Sequence, residues 1–213
     1  MEPICYIVGA VPTEALPSPR EGDFLIAADK GYETLRAAGI APDLIIGDFD
    51  SLGYTPEGAN VLSHSPIKDD TDLLLAIRWA MERGWRRFVI YGALGGRRLD
   101  QTVASFQTLR FLADRGAKGL LVGDGWNVTL LQNAALRFPA AASGWLSVFV
   151  SGEEARGVTL RGLKYEITDH TLTCGMPLGV SNEFLGKEAR ISVADGALFV
   201  LWQGGVTPEE EAL

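Results

Sequence analysis

The chain has 213 residues, 47% of them hydrophobic and 22% charged, enough apolar mass for one large domain or two small ones packed together. Its 27 acidic residues outnumber 19 basic ones to give a net charge of −8, which excludes a broad basic surface for nucleic acid but leaves room for a nucleotide held through metal ions. Two cysteines and two histidines, with no basic leader before the short apolar run at Ile4 and no stretch approaching ~20 apolar residues, argue against a disulfide framework, a histidine metal centre, a signal peptide and a membrane span; the expected location is the cytoplasm.

In chain order, Ile4–Val8 and Phe24–Ala28 read as strands, Tyr32–Ala38 as a helix stopped by Gly39, and Leu44–Ile46 as a third strand. Leu74, Ile77 and Met81 fall on one face of a helix spanning Thr71–Arg83. Phe88–Tyr91 is a strand, Leu99–Arg115 a helix ended by Gly116, and Leu120–Val122 a strand. This alternation predicts an N-terminal α/β domain with a parallel sheet, over residues 1–125. From there short β-rich runs follow at close spacing, at Val128–Leu131, Leu146–Val150, Gly157–Leu160, Ile167–Leu172, Arg190–Val193 and Leu198–Trp202. They predict a C-terminal antiparallel β-sandwich over residues 126–213, with the acidic tail Pro208–Leu213 expected to fray.

Three segments carry chemistry. Gly47-Asp48-Phe49-Asp50-Ser51 follows a strand, and residues two apart can point the same way, so Asp48 and Asp50 offer paired carboxylates suited to magnesium shared with phosphates. The same residues also suit an exposed Asp-Ser turn. Lys68-Asp69-Asp70-Thr71-Asp72 opens a helix, where Asp70 or Thr71 fits the N-cap and Asp72 the helix dipole; three carboxylates nonetheless exceed what a cap needs. Gly92-Ala93-Leu94-Gly95-Gly96-Arg97-Arg98-Leu99-Asp100 joins a strand to a helix. Glycine backbone N–H groups and two guanidiniums there suit phosphate, although the loop is neither a Walker A motif nor a dinucleotide fingerprint. Asp29, Asp48, Asp50 and the glycine-arginine loop all follow strands, so a parallel sheet gathers them along one edge, where open α/β sheets bind ligands.

Together these residues resemble the thiamine pyrophosphokinase family. The likeness runs from about residue 25 to residue 203: Asp29-Lys30-Gly31, Pro42-Asp43 through Asp50-Ser51, Lys68-Asp69 with Thr71-Asp72, and Gly95-Gly96-Arg with Asp100. It continues in Gly162-Leu163-Lys164-Tyr165, Leu172 with Gly175, and Gly179-Val180-Ser181-Asn182-Glu183. The resemblance implies transfer of a diphosphoryl group from magnesium-bound ATP to the hydroxyl of thiamine, by a homodimer with active sites formed between subunits. It further implies that Asp29, Asp48, Asp50 and Asp72 hold magnesium, that Lys68, Asp69, Arg97 and Arg98 line the phosphates, and that Asp72, Arg98 and Asp100 serve catalysis. Ser181, Asn182 and Trp202 fall on its thiamine side, Trp202 as the aromatic over the ring. Three departures stand out: Lys30 replaces a common glycine, Arg97-Arg98 is a doublet where one arginine is usual, and Gln101 replaces a frequent histidine. Related activities remain, namely a pyrophosphokinase for another hydroxymethyl heterocycle such as a pterin, a phosphohydrolase, or a nucleotide- or thiamine-binding module without catalysis. Ser181-Asn182 and Trp202 favour thiamine over a pterin.

Overall fold

The computed structural model describes residues 2–49, 53–54, 56, 60–63 and 70–213. Contacts divide the chain into two compact units, Met1–Asp124 and Gly125–Leu213.

The first unit is built on parallel strands β1 (Cys5–Val8), β2 (Phe24–Ala28), β3 (Leu44–Gly47), β4 (Val61–Ser63), β5 (Arg87–Tyr91) and β6 (Lys118–Gly123), ordered β4-β3-β2-β1-β5-β6. Every neighbouring pair is parallel, so all six carboxyl ends share one edge. The order runs outward from β1 through β2 to β4, then resumes on the other side of β1 with β5 and β6. That reversal creates a topological switch point between β1 and β5. Strands β1 to β3 are almost continuously apolar because both faces are covered: Cys5, Ile7, Val8, Ile26, Ala27 and Ile46 are all fully buried.

Among the described residues, three helices cover the sheet. In α1 (Gly31–Ala37), Leu35 joins the cluster of Val8, Leu25, Ala27, Ile45 and Phe49. In α2 (Asp72–Glu82) the buried stripe is Ala76, Ile77 and Ala80, so the expected face of Leu74, Ile77 and Met81 is rotated toward small residues that let the helix lie close to the sheet. Thr71 is the N-cap, its Oγ1 accepting from the Leu74 N–H at 3.2 Å, which decides between the two candidate caps. Helix α3 (Leu99–Ala113) buries Ser105, Thr108, Leu109 and Leu112, and the last two occupy the space a side chain at Gly119 of β6 would need.

The starts of β1 and β2 are tied by Asp23, whose carboxylate accepts from the backbone N–H groups of Ile4 and Arg20, each at 2.8 Å. These bonds hold its carboxyl below its ordinary value of 3.8. Because the folded value is depressed, the stabilisation is present above pH 3.8 and is lost as pH falls through the folded value. Asp23→Ala is therefore expected to lower Tm at neutral pH, with the gap from wild type closing as melts are taken progressively below pH 3.8. A gap that persists undiminished at the lowest pH would assign the loss to packing instead.

The second unit holds two antiparallel sheets. One is ordered β7 (Trp126–Gln132), β14 (Ala197–Gln203), β9 (Trp145–Val150), β12 (Asn182–Glu183). The other is ordered β11 (Ile167–Thr173), β10 (Glu154–Arg161), β13 (Ala189–Ser192), β8 (Ala134–Phe138), β15 (Glu209–Ala212). Leu198, Val200 and Trp202 alternate inward along β14, and Phe138 of β8 meets Trp202 edge-on at 5.4 Å, so the core lies between the sheets.

The acidic tail does not fray. Residues 209–212 pair antiparallel with β8, and two arginines beside the glutamates explain why. Arg137 of β8 lies directly opposite Arg190 of β13, a like-charge pair that alone would weaken the sheet. On its other side β15 supplies Glu209, paired with Arg137, and Glu211, 2.9 Å from Arg137 Nε and 3.5 Å from Arg190 Nε.

Candidate functional site

The carboxyl edge of the parallel sheet carries Asp29, Asp48 and the glycine-arginine loop. Asp29 follows β2 with a left-handed backbone (φ 50°), its N–H donating to the Ile46 carbonyl at 2.8 Å. Asp48 follows β3, and a Cβ on Gly47 would come within 3.3 Å of Asp29 Cα, so the missing side chain lets the two strand ends close together. Both aspartates are half-buried. Asp72 begins α2 in its first turn, after the Thr71 cap, while neighbouring Asp70 pairs with Arg78 at 2.6 Å. Asp50, Lys68 and Asp69 lie outside the described residues, as do Ser51 and His64.

At the switch point the loops after β1 and β5 are laced together. Gly9 N–H donates to the Tyr91 carbonyl (2.8 Å) and Val11 N–H to the Gly92 carbonyl (2.9 Å). Gly92 has φ 63°, and a Cβ there would stand 2.6 Å from the Gly9 oxygen and 2.8 Å from that of Val11, so only glycine fits. Gly95 and Gly96 continue in left-handed conformations to Arg97 and Arg98 at the start of α3, and Thr102 Oγ1 donates back to the Gly95 carbonyl at 3.2 Å. Two rim residues escaped the sequence reading: Gly9, whose loop carries no motif, and Asp124, whose carboxylate borders Gly95 at the end of β6. Asp124-Gly125 carried the available signal for the latter, an acid in a tight turn directly after a strand.

Arg98 and Asp100 form a two-pronged ion pair, Nε to Oδ1 at 2.9 Å and Nη2 to Oδ2 at 2.5 Å, with both side chains mostly exposed. The Arg98 hydrogen bond is the main cause holding the Asp100 carboxyl below its ordinary value. Arg97 is exposed beside them. A phosphate entering here would thus find Arg98 already oriented but engaged by its own neighbour.

The donor set suits magnesium chemically, since Asp29, Asp48 and Asp72 offer hard carboxylate oxygens. Among the described residues no three His, Cys, Asp or Glu side chains are grouped closely enough to enclose a metal. Magnesium is usually held by one or two carboxylates completed by substrate phosphates and water.

In the second unit the expected thiamine-side residues separate. Ser181 is exposed, with φ 59° and its N–H donating to Ser147 Oγ at 3.1 Å. Asn182 is 1% exposed and its amide is fully used within the chain: Oδ1 accepts from the N–H groups of Tyr165 (2.9 Å) and Glu183 (3.0 Å), and Nδ2 donates to the Tyr165 carbonyl (2.7 Å). Trp202 is a correction to the sequence reading. It is 1% exposed, its indole N–H donates to the Val206 carbonyl at 2.8 Å, and Phe138 packs against its ring. A ring that covers a ligand needs an accessible face, and the inward alternation of β14 leaves Trp202 none.

A parallel sheet with a glycine-arginine loop at its switch point and acids on adjoining strand ends is the layout of an α/β nucleotide-handling enzyme, here followed in sequence by an antiparallel β unit. Residues 20–121 match the family model described as the thiamin pyrophosphokinase catalytic domain, and residues 134–198 match its vitamin B1 binding domain. The thiamine pyrophosphokinase of Bacillus subtilis is 30% identical over 191 residues, spanning 83% of this chain and 85% of that protein. Among solved structures, that of a Bacillus subtilis thiamine pyrophosphokinase superposes with TM-score 0.82 at 27% identity, covering 95% of this chain and 99% of the other. A Geobacillus thermodenitrificans thiamin pyrophosphokinase gives 0.79 at 28%, covering 95% and 98%. The chain belongs to the thiamine pyrophosphokinase family, and it is a thiamine diphosphokinase. None of these comparisons favours a pterin pyrophosphokinase or a binding module without catalysis.

Proposed function

We propose that the chain transfers the diphosphoryl group of magnesium-bound ATP to the thiamine hydroxyl, giving thiamine diphosphate and AMP, as a cytoplasmic homodimer with active sites formed between subunits. The observation that carries this reading is the ordered match of both family domains, catalytic over 20–121 and vitamin B1 binding over 134–198. In the reaction the hydroxyl oxygen bonds to the β-phosphorus, the bond from the β-phosphorus to the oxygen it shares with the α-phosphate breaks, AMP leaves with that oxygen and its electron pair, and the hydroxyl proton passes to a carboxylate. Asp48 and Asp72 hold the metal, with Asp29 beside them and Asp50 as the further carboxylate. Bound magnesium would neutralise charge on the phosphate oxygens.

Lys68, Asp69, Arg97 and Arg98 make up the phosphate side, Arg98 as the guanidinium clamp once it exchanges Asp100 for phosphate oxygens. Asp100, released from that pair, orients the hydroxyl. Asp100 or Asp72 takes the hydroxyl proton. Ser181 offers its hydroxyl on the thiamine side, and Asn182 fixes the turn beside it.

Incubation with ATP, magnesium and thiamine tests the reaction: AMP and thiamine diphosphate are expected in equal amounts, whereas ADP or free phosphate as the main product would point to another transfer. Arg98→Ala is expected to lower kcat/KM for ATP about 10- to 100-fold and Arg97→Ala by less, because Arg98 keeps the spacing to Asp100. Steady-state kinetics of the two single variants decides this, and a larger loss at Arg97 would reassign the clamp.

A further inference from the structure

The proposed reaction gives Asp124 no task, although it stands on the same edge as the residues that act. It follows β6 in a left-handed conformation (φ 53°), succeeded by another at Gly125 (φ 75°). An Asp-Gly turn accounts for that backbone, but asparagine would serve it equally well, so the turn does not explain the charge. The end of β6 is seated on the switch-point loop: a Cβ on Gly123 would meet Leu94 Cβ at 3.4 Å, and one on Gly95 would meet Asp124 Oδ2 at 3.5 Å. Leu94 and Gly123 are buried while Asp124 is exposed, so a packed platform holds the carboxylate out at the rim. No hydrogen bond or ion pair to that carboxylate is present among the described residues.

The strand order narrows what Asp124 can bind. From β3 to β6 the order is β3-β2-β1-β5-β6, four interstrand steps, which puts Asp124 about 19 Å from Asp48 at ~4.8 Å per step. A magnesium ion with oxygen ligands at about 2.1 Å cannot be shared across that distance. A carboxylate accepts hydrogen bonds and donates none, and it repels phosphate, so the partner of Asp124 is a donor that is not itself anionic. With the metal-bound phosphates toward β2 and β3 and the arginine loop after β5, the nucleotide runs along the edge with its AMP half toward β6. On that half the ribose is joined directly to the α-phosphate and offers two hydroxyl donors, whereas the adenine amine lies a further ring away. Dinucleotide-binding α/β sheets likewise hold the sugar through a carboxylate.

We propose that the Asp124 carboxylate accepts hydrogen bonds from the ribose hydroxyls of ATP and so selects ribonucleotide over deoxyribonucleotide. This rests on the thiamine diphosphokinase reading and adds to it the direction in which the nucleotide lies.

The test compares wild type, Asp124→Asn and Asp124→Ala in steady-state kinetics with ATP and 2′,3′-dideoxy-ATP, and in calorimetric binding of AMP and 2′,3′-dideoxy-AMP without magnesium. Asparagine keeps the left-handed turn and one acceptor oxygen without the charge, alanine removes the acceptor, and thermal melts follow the fold of each. Wild type is expected to favour ATP about tenfold in kcat/KM and AMP about tenfold in Kd over the dideoxy compounds. Asp124→Ala is expected to erase both preferences by weakening the ribonucleotides alone, with the dideoxy compounds, the KM for thiamine and the magnesium requirement within about twofold of wild type. Asp124→Asn is expected to fall between the two. A residue that only shaped the turn would weaken both kinds of nucleotide alike.

Equal losses for ATP and its dideoxy analogue overturn the inference, as does a wild type that does not distinguish them. A raised magnesium requirement in Asp124→Ala overturns it and makes Asp124 a metal ligand, and a raised thiamine KM with that for ATP unchanged gives the carboxylate to thiamine instead. Because AMP binding is read without turnover, the inference and the overall reaction fail separately: a wild type that yields ADP in place of AMP would refute the reaction and leave the binding result standing.

Discussion

Asp48→Asn is expected to cut thiamine diphosphate formation at least ~100-fold while leaving Tm within a degree or two of wild type. The substitution keeps the shape of a half-buried side chain at the end of β3 and removes only its charge. The backbone around it is fixed by neighbours that do not depend on the carboxylate, namely the Asp29 N–H on the Ile46 carbonyl and the close approach allowed by Gly47. A carboxylate that binds magnesium should also shift the metal requirement, so activity ought to recover in part as magnesium is raised. Titration of magnesium at saturating ATP and thiamine reads this directly. Near wild-type activity at limiting magnesium would remove Asp48 from the metal site. Asp50→Asn is expected to behave the same way, by virtue of the shared motif.

Trp202→Ala is expected to act on the fold instead of on thiamine. The ring is fully buried, edge-on to Phe138, and its N–H is bonded to the Val206 carbonyl. Truncation to alanine would cost roughly 3–5 kcal/mol, from lost transfer free energy plus the cavity left behind, and would orphan the Val206 acceptor. For a unit of this size that corresponds to a fall in Tm of at least ~12 °C. Thermal melts measured beside steady-state kinetics separate this from ligand stacking. If the variant melts like wild type yet its KM for thiamine climbs more than tenfold, the buried assignment is wrong.

How much of this could be read in advance depends on how local each signal was. Strands β1, β2 and β3 announced themselves because both faces are covered and their runs are nearly continuously apolar, and β5 through the apolar run Phe88–Tyr91. The helices were visible through their periodicity and through glycines such as Gly84 and Gly116 at their ends. Strand β4, three residues long, carried too little pattern, and β8 (Ala134–Phe138) was hidden by two alanines that fit any secondary structure. Strand β15 could not be seen at all, since three consecutive glutamates look like a solvated tail until Arg137 and Arg190 are placed beside them. The placement of Asp29 and Asp48 at the sheet's carboxyl edge was legible because strand ends in a parallel sheet necessarily line up. Trp202 and Asn182 were not, because the motif gives residue type and spacing but not which face of a strand points inward. Asn182 thus emerges as a residue that shapes the neighbouring turn at Tyr165.

The pairing of β15 with β8 also sets an order on how the second unit is made. Arg137 and its partner Glu209 are separated by 72 positions in the chain, and the Asn127 side chain reaches Gly204 across 77. During synthesis at ~5–20 residues per second, β8 would emerge several seconds before the strand that covers its edge. For that interval a short apolar strand would present unpaired backbone groups and Arg137, with Arg190 joining it as a second positive charge offset only by Glu188, 3.7 Å from Arg137, before Glu209 and Glu211 arrive. Positive charge is a recognised means of keeping an open strand from pairing with another chain. The like-charge contact that Glu209 and Glu211 offset in the finished sheet would then guard the unfinished one, and those two glutamates would release that guard only when the nascent strand is ready to close the edge.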